Sequence, residues 1–383
     1  MTLHTFNFPT RIHFGPGARL RIRDDLLAQG LKRPLVVTDR GLAALPLFTE
    51  FLASLPPLEA TSFSGVAGNP VASQVTAGVE AFRAHDADSI VGIGGGAALD
   101  VAKAVALMAR HPGDLFEYED GLPNPRPVDR PLPYWVAVPT TAGTGSEVGR
   151  SAVISDDRTK VKKVIFAPAL LARAVFADPE VTLGLPKAVT AATGMDALTH
   201  CIEAYLAKAY HPICDAIALE GLRLGAGALP RCVETPGDLE ARGSMMMSSM
   251  MGAIAFQKGL GIVHSCAHAL STVADLHHGF ANGLMIEPAL RFNLEAVPQR
   301  FRILAQTVGL DGDGEVFLDW LSALKRRIGI PRGPAEAGVK PAERGRLAEL
   351  AFADTCHLNN PRPVTPDDFH RLWGEAFAGA GPA

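Results

Sequence analysis

The sequence predicts an α/β domain followed by an all-helical domain. In roughly the first half, short apolar runs alternate with stretches of helical periodicity, which is typical of a parallel sheet with helices on both faces. From about Leu185-Pro186 onward, Ala, Leu, Met and Glu recur at helical spacing with few β-branched runs. A chain of 383 residues that is 48% apolar can bury a large core and exceeds the usual length of one domain. We therefore predict two domains, at residues 1–185 and 186–383.

Individual elements of the first domain follow from its apolar runs. Short, mostly apolar segments of this kind predict buried parallel strands. Helices are predicted between them, the second being an Ala-rich run that stops near His111-Pro112-Gly113. The predicted strands are 34–39, 89–93, 135–139 and 174–179, and the predicted helices are about 71–86 and 97–107.

Two features support the helical prediction for the second domain. Pro186 suits the first turn of a helix, where its missing N–H group costs nothing. The run Met245-Met246-Met247-Ser248-Ser249-Met250-Met251 is predicted to be helix core rather than a soft-metal site, because methionine fills irregular gaps in apolar interiors.

Composition and charge exclude several classes of function. The net charge of −4 gives no electrostatic footprint for nucleic acid or an anionic membrane. The five cysteines form no CxxC pair, which favours a reducing compartment. The N-terminal residues lack the pattern of a signal peptide, and no apolar run reaches the roughly 18 residues of a membrane span. We therefore expect a soluble cytoplasmic protein with a small-molecule substrate.

A glycine-rich turn joins the predicted strand 89–93 to the helix that follows. Gly92-x-Gly94-x-x-Ala97 fits a dinucleotide-binding fingerprint, although such turns also form for purely steric reasons. Gly94-Gly95-Gly96 would let backbone N–H groups approach a pyrophosphate at a helix N-terminus.

Asp39 closes the first predicted strand and is the best candidate for a ribose-binding carboxylate. Glu117 and Asp120, which lie about twenty residues beyond the glycines, fall in a predicted loop. A carboxylate at Asp39 would accept a hydrogen bond from a ribose 2′-hydroxyl and repel a 2′-phosphate, which favours NAD over NADP. An Asx turn after the strand is the alternative interpretation. A second polar loop, at 139–147, offers hydroxyls and close backbone approach for a phosphate or ribose.

Two helix-spaced fragments of the second domain carry candidate metal ligands. The first places a carboxylate and an imidazole four residues apart, on one face of a helix. The second repeats this spacing with two imidazoles and continues to a His-His-Gly sequence. One carboxylate and several imidazoles suit a borderline divalent cation such as Fe²⁺ or Zn²⁺. Spacing alone does not choose among the candidates, which are Asp196, His200, His264, His268, His277 and His278.

These motifs, in this order, resemble those of the iron-containing (group III) alcohol dehydrogenases, of the lactaldehyde reductase and 1,3-propanediol dehydrogenase type. The resemblance covers nearly the whole length. It implies a Rossmann-like first domain, an all-helical second domain, a dehydroquinate synthase-like fold and an active site in the cleft between the domains. The motifs that carry it are Gly94-Gly95-Gly96-Ala97-x-x-Asp100-x-x-Lys103, Pro139-Thr140-Thr141-x-Gly143-Thr144-Gly145-Ser146-Glu147, Gly194-x-Asp196-Ala197-Leu198-Thr199-His200 and His264-x-x-x-His268…His278-Gly279.

The resemblance also implies an activity, namely metal-dependent, NAD(H)-linked interconversion of a small alcohol and an aldehyde. It makes Asp196, His200, His264 and His278 the metal ligands and makes His268 a catalytic histidine outside the ligand set. Because imidazole titrates near neutrality, His268 would relay the proton, the alternative being a structural partner of His264.

Matched position by position, the resemblance assigns further contacts. Lys162 resembles the cofactor-contacting lysine of the family, and Lys163, one register away, is an alternative for that role. The other interpretation is that both lysines belong to a solvated basic run without a cofactor contact. The implied cofactor contacts are Asp39, Gly95, Gly96, Ala97, Thr140, Thr141, Thr144, Ser146 and Lys162. The residues expected to line the substrate pocket are Ser151, Val153, Phe256 and Cys356.

Three departures and two rival activities accompany this assignment. Ala97 replaces the usual serine, Gly149-Arg150-Ser151 is atypical near the substrate, and His277 is an extra histidine that we interpret as surface or outer-sphere. Arg150 would favour a polar or anionic substrate tail.

The two rival activities are that of a glycerol-dehydrogenase-like zinc enzyme and that of a dehydroquinate-synthase-like lyase that uses NAD and a metal. A third interpretation is a nucleotide-binding protein without enzymatic activity. We expect Fe²⁺, with Zn²⁺ accepted by the same ligands, and a homodimer or larger homo-oligomer.

Overall fold

The structure is a computed structural model that describes residues 8, 10–159 and 161–378. Its contacts divide the chain into two compact units. Among the described residues, the first unit, called the sheet unit, contains 8–141 and 145–182. The second, called the helical unit, contains Ala142–Thr144 and 183–378.

The sheet unit alternates strands with helices, as the sequence predicts for an α/β domain. Its strands are β1 (Arg11–Phe14), β2 (Pro34–Asp39), β3 (Thr61–Val66), β4 (Ser89–Gly94), β5 (Tyr134–Pro139), β6 (Ser151–Ser155), β7 (Lys162–Phe166) and β8 (Ala174–Ala177). Its helices are α1 (Ile22–Ala28), α2 (Arg40–Ala43), α3 (Pro46–Ala53), α4 (Ala72–Ala84) and α5 (Gly96–Met108).

Six strands form one parallel sheet in the order β1-β8-β5-β4-β2-β3, and β6 pairs with β7 in a separate antiparallel hairpin. The four strands and two helices predicted in this half are confirmed as β2, β4, β5, β8, α4 and α5. The other four strands escape prediction because each has partly exposed residues in place of a continuous apolar run.

The order of the strands places the two predicted nucleotide-binding motifs side by side. From β2 the chain moves to β3 on one side, whereas from β4 it moves to β5 and β8 on the other. Ligands of open parallel sheets bind beyond the carboxyl ends of the strands at such a reversal. Asp39 ends β2, and the glycine-rich turn follows β4, the neighbouring strand.

The helical unit consists of nine α-helices among the described residues, with short 3-10 turns between them. Helix α6 is buried along almost its whole length from Thr190 to Leu206, and it packs against α7, α8 and α10. The helices are α6 (Lys187–Leu206), α7 (Pro212–Glu234), α8 (Leu239–Ala255), α9 (Ile262–Ala274), α10 (His278–Asn293), α11 (Pro298–Thr307), α12 (Gly314–Ile328), α13 (Arg344–Ala353) and α14 (Pro366–Ala378).

The prediction of an α/β half followed by a helical half is confirmed. The methionine-rich run lies in α8, where Met246 and Met250 are fully buried, so its assignment to helix core is also confirmed. Pro186 occupies the capping position just before α6 rather than its first turn. Among the described residues, no helix is long and apolar enough to cross a membrane.

Candidate metal centre and nucleotide loops

Helix α6 carries the first two candidate ligands on one buried face. Asp196 and His200 are each 3% exposed, and Asp196 Oδ1 lies 3.6 Å from His200 Nε2. The four-residue spacing places both side chains on the same side of the helix. Because α6 is enclosed by its neighbours, these two groups are held in an interior largely screened from water.

Helices α9 and α10 bring two more imidazoles to the same point. Asp196 Oδ1 lies 3.8 Å from Nε2 of His264 and 3.4 Å from Nε2 of His278. The close approach of α10 requires Gly279, since a Cβ there would lie 2.2 Å from the carbonyl oxygen of Ala192 on α6. The ligand atoms of the four residues Asp196, His200, His264 and His278 all lie within 4.8 Å of one another.

The protonation state of this cluster suits a divalent cation. Burial lowers the pKa of His200 and of His264 to about 4, so both imidazoles are neutral at pH 7 and offer lone pairs. Asn282, at the centre of the cluster, donates from Nδ2 to Asp196 Oδ1 at 2.8 Å, and its buried Oδ1 has no hydrogen-bond partner among the described residues. One carboxylate with neutral imidazoles is a donor set that Fe²⁺ or Zn²⁺ accepts.

Glu203 supports this cluster and was missed by the sequence reasoning. It lies one turn beyond His200 on α6, and its Oε2 is 2.6 Å from Nδ1 of His264. The same carboxylate accepts hydrogen bonds from the backbone N–H groups of Val263 and His264 at the start of α9. Burial raises its pKa to about 7. A carboxylate behind a metal-binding imidazole fixes the tautomer of the ring and its direction. The signal was the spacing of Asp196, His200 and Glu203 at i, i+4 and i+7.

His268 lies outside the four-residue cluster and pairs with a second residue that the sequence did not indicate, Asp354. Its Nδ1 is 2.8 Å from Asp354 Oδ2. Asp354 Oδ1 accepts hydrogen bonds from the Ser265 hydroxyl and the Cys356 backbone N–H, both at 2.8 Å. Although burial opposes the shift, the hydrogen bond with His268 holds the pKa of Asp354 well below its usual range. The His268 ring stacks on that of His278 with centroids 5.2 Å apart.

The four predicted pocket residues are divided between the two units. Phe256 lies beside the candidate metal cluster, with its ring centroid 5.0 Å from that of His200. Cys356 groups with His268 and Asp354. Ser151 and Val153 belong instead to β6 in the sheet unit.

Asp39 contacts both the helix that follows it and the glycine-rich turn. Its Oδ1 accepts a hydrogen bond from the Leu42 N–H at 2.9 Å, which caps α2. Its Oδ2 lies 3.3 Å from the position that a Cβ on Gly94 would occupy. Gly94 has a φ of +151°, which favours glycine. The Asx-type turn considered from the sequence is therefore present, and the second oxygen faces the predicted nucleotide loop.

The glycine-rich turn and the threonine loop are adjacent in the sheet unit. Gly95 precedes α5, and the first N–H groups of a helix have no acceptor within it. The Thr140 N–H donates to the Gly94 carbonyl at 3.0 Å, and Thr141 Oγ1 lies 3.4 Å from the Cβ position of Gly95. Gly96 and Ala97 open α5 itself. Thr144, in contrast, belongs to the helical unit.

Ser146 takes part in a buried polar network that the sequence reasoning did not foresee. Its hydroxyl donates to Asp100 Oδ1 at 2.6 Å and accepts from Lys103 Nζ at 2.7 Å. Lys103 Nζ also donates to the Ser151 carbonyl, and the Val153 N–H donates to Asp100 Oδ2. The network thus ties α5 to β6 and engages the Ser146 hydroxyl within the protein. The pattern Asp100-x-x-Lys103 was its signal, because those residues share one helix face.

The two candidate lysines are consecutive residues of β7, so their side chains point to opposite faces of the strand. Lys163 forms an ion pair with Glu119 and lies over the Phe116 ring at 5.0 Å, so its ammonium group is engaged. Lys162 is half-buried at the start of the strand, opposite Ser155.

The remaining residues discussed from the sequence either lie outside the four-residue cluster or form contacts elsewhere in the protein. His277 is exposed and immediately precedes α10. Arg150 stacks over the Phe166 ring at 5.4 Å. Glu117, the rejected ribose candidate, forms an ion pair with Arg126.

Known proteins resemble this chain over nearly its whole length. A 4-hydroxybutyrate dehydrogenase from Cupriavidus necator is 38% identical over 376 residues, covering 95% of this chain and 97% of that protein. An NAD-dependent methanol dehydrogenase from Bacillus methanolicus is 36% identical, covering 96% of this chain and 98% of that protein. The crystal structure of a 1,3-propanediol oxidoreductase superposes with a TM-score of 0.93 at 36% identity, covering 98% of this chain and 100% of that one.

Two family models also match, and together they span both halves of the chain. Residues 9–179 match the iron-containing alcohol dehydrogenase model, and residues 190–377 match the C-terminal model of the Fe-containing alcohol dehydrogenase family. The resemblance recognised in the sequence motifs is thereby confirmed. This chain belongs to the iron-containing alcohol dehydrogenase family and is an oxidoreductase.

Proposed function

We propose that this enzyme is an NAD(H)-linked alcohol dehydrogenase and aldehyde reductase that acts on a small, partly apolar substrate. The observation that carries the proposal is the convergence of Asp196, His200, His264 and His278 from α6, α9 and α10, with ligand atoms within 4.8 Å of one another. Residues 1–185 would form the dinucleotide-binding domain, and residues 186–383 the metal-binding and catalytic domain. We also propose a homodimer or larger homo-oligomer, which a solution mass measurement would test.

NAD(H) is the proposed cofactor, and two observations support it. One relative is named as an NAD-dependent dehydrogenase. Asp39 and the glycine-rich turn meet where the strand order reverses, and a carboxylate at that point disfavours a 2′-phosphate. The proposed contacts are Asp39, Gly95, Gly96, Ala97, Thr140, Thr141, Thr144, Ser146 and Lys162.

Fe²⁺ is the proposed metal, with Zn²⁺ acceptable to the same residues. A cation held there would supply Lewis-acid polarisation of the substrate oxygen. His200 and His264 would bind it as neutral groups, and Asp196 would supply the carboxylate ligand. Glu203, 2.6 Å from Nδ1 of His264, would keep the proton on that nitrogen and leave Nε2 as the atom that would hold the cation.

Two further side chains of the helical unit would serve the reaction. Asp354 accepts the Nδ1 proton of His268, which leaves His268 Nε2 as the basic nitrogen that takes up and releases the alcohol proton. Phe256 covers the His200 ring and would exclude water from that side of the cluster.

The family match favours this activity over a dehydroquinate-synthase-like lyase and over a nucleotide-binding protein without activity. The glycerol-dehydrogenase-like alternative differs mainly in its metal. The decisive experiment is anaerobic purification with metal analysis, followed by a screen of alcohols with NAD⁺ and of aldehydes with NADH after reconstitution with Fe²⁺ or Zn²⁺. We expect one bound cation per chain and metal-dependent turnover. Turnover of no alcohol or aldehyde, or undiminished turnover by metal-free protein, would overturn the proposal.

A further inference from the structure

We propose that His268, Asp354 and Cys356 form a second cation site, which takes a thiophilic divalent cation such as Zn²⁺ or Cd²⁺ and blocks the proton relay at His268. The three residues lie outside the four-residue cluster. One ligand atom from each lies within 4.8 Å of the others. Occupation of the site would inhibit the enzyme, because the cation would bind His268 Nδ1, the nitrogen that now faces Asp354.

The three side chains are held in place and can be reached from outside. His268 is fixed on α9, while Asp354 and Cys356 follow α13 directly. Two hydrogen bonds to Asp354 Oδ1, from Ser265 and from the Cys356 backbone, orient the carboxylate. The side chains of His268 and Asp354 are 35% and 20% exposed, whereas Asp196 is 4% exposed. A cation can therefore reach this group from solvent more readily than it reaches the four-residue cluster.

The donor set predicts which cation binds. An imidazole, a carboxylate and a thiolate are three Zn²⁺ ligands that leave a fourth position for water. Sulfur selects soft cations, and the four-residue cluster contains no sulfur. One thiolate and one carboxylate also cancel the charge of a divalent cation. The occupied second site would therefore be neutral and would raise the local charge by one unit over the empty site, next to the first cluster because the His268 and His278 rings are stacked.

Binding has a defined proton balance and involves no electron transfer. The Cys356 thiol loses its proton to solvent when sulfur binds the cation. The proton on His268 Nδ1 moves to Nε2, because Nδ1 becomes the ligand. Nε2 then carries a proton and can no longer accept one from the alcohol. Occupation of the site therefore removes the basic nitrogen on which the proposed relay depends.

Cadmium tests the site directly, because a thiolate bound to Cd²⁺ absorbs in the ultraviolet through charge transfer. Cd²⁺ would be titrated anaerobically into the Fe²⁺-reconstituted wild-type enzyme, with bound cadmium and the thiolate band followed together. We expect one thiolate-bound Cd²⁺ per chain. Cys356→Ser should lose this band. Cys232→Ser, which changes a buried cysteine of α7 outside both clusters, should keep it.

Inhibition supplies the second readout. In the wild-type enzyme, turnover should fall as the thiolate band grows, and a chelator should restore it. Each variant would be compared with its own uninhibited rate, and Cys356→Ser should need about tenfold or more Cd²⁺ or Zn²⁺ for the same inhibition. A wild-type enzyme without the band, or a band retained in Cys356→Ser, would overturn the proposal. The band requires no turnover. It would therefore still report whether the second site binds Cd²⁺ if the proposed dehydrogenase activity were not found.

Discussion

Glu203 Oε2 lies 2.6 Å from Nδ1 of His264, while Nε2 of the same ring lies 3.8 Å from Asp196 Oδ1. The ring thus stands between two carboxylates, one at each nitrogen. Glu203 also accepts backbone N–H groups at the start of α9, so it joins α6 to the helix that carries His264. The carboxylate therefore sets both the position of α9 and the tautomer of the imidazole.

The first prediction concerns Glu203→Gln. The amide keeps the shape of the side chain but loses the charge that favours a proton on His264 Nδ1. We expect metal affinity to fall about 10- to 100-fold, as is common when an outer-sphere partner of a ligand is removed. Titration of the reconstituted protein with a competing chelator measures this directly. Glu234→Gln, at an exposed glutamate that pairs with Arg327, is the matched control. Equal affinities in the two variants would show that Glu203 has no role in orienting His264.

The second prediction concerns the four-residue cluster itself. Asp196→Ala and His264→Ala each remove one ligand from a buried set, so bound metal and turnover should be lost together. Metal analysis alongside the rate of NAD⁺ reduction tests this. His277→Ala should retain both, because His277 is exposed and lies outside the cluster. A metal-free His264→Ala protein with full activity would refute the assignment of the metal site.

Burial on both faces decided which strands the sequence could predict. Strands β2, β4, β5 and β8 are almost wholly buried and therefore appear as continuous apolar runs. Strands β1 and β3 lie at the two edges of the sheet, and β6 and β7 form a hairpin outside it. Each of these four strands contains at least two polar residues, so no continuous apolar run marks it.

Local spacing likewise decided how much of the candidate site could be predicted. Asp196 and His200 share a helix face at four-residue spacing, which is visible in the sequence alone. The choice of His264 and His278 over His268 came from a family resemblance, because spacing treats the three alike. Asp354 lies 86 residues from His268, and only the packing of α13 beside α9 brings them together. No local pattern encodes such a pair.

The third prediction concerns cofactor choice. Asp39→Gly removes the carboxylate that would repel a 2′-phosphate, so the ratio of kcat/KM for NADP⁺ to that for NAD⁺ should rise. Because Asp39 also caps α2 through Leu42, the glycine variant changes two properties. Asp39→Asn keeps a good capping side chain and removes only the charge. Both variants should therefore shift toward NADP⁺. An unchanged ratio in both would remove Asp39 from the ribose site.

The last prediction concerns Glu147, which is buried in the sheet unit near Lys103. Burial raises its pKa from 4.5 to about 7, against the attraction of Lys103. The folded protein therefore holds this proton more tightly than the unfolded chain does. The resulting stability is fully present below pH 4.5 and is lost as the pH rises through about 7.

The glutamine of the Glu147→Gln variant cannot ionise, so this variant should not lose that part of its stability as the pH rises. Relative to the wild type, its free energy of unfolding should rise by about 2 to 3 kcal/mol between about pH 5 and about pH 8. Urea unfolding of the metal-free proteins, followed by circular dichroism at both pH values, measures the difference. Other buried groups are present in both proteins and cancel in this comparison. Glu80→Gln, at an exposed position of α4, should show no such gain. If Glu147→Gln and the wild type lost stability in parallel, the carboxyl group would be ionising without cost in the folded state, and burial could not be what raises its pKa.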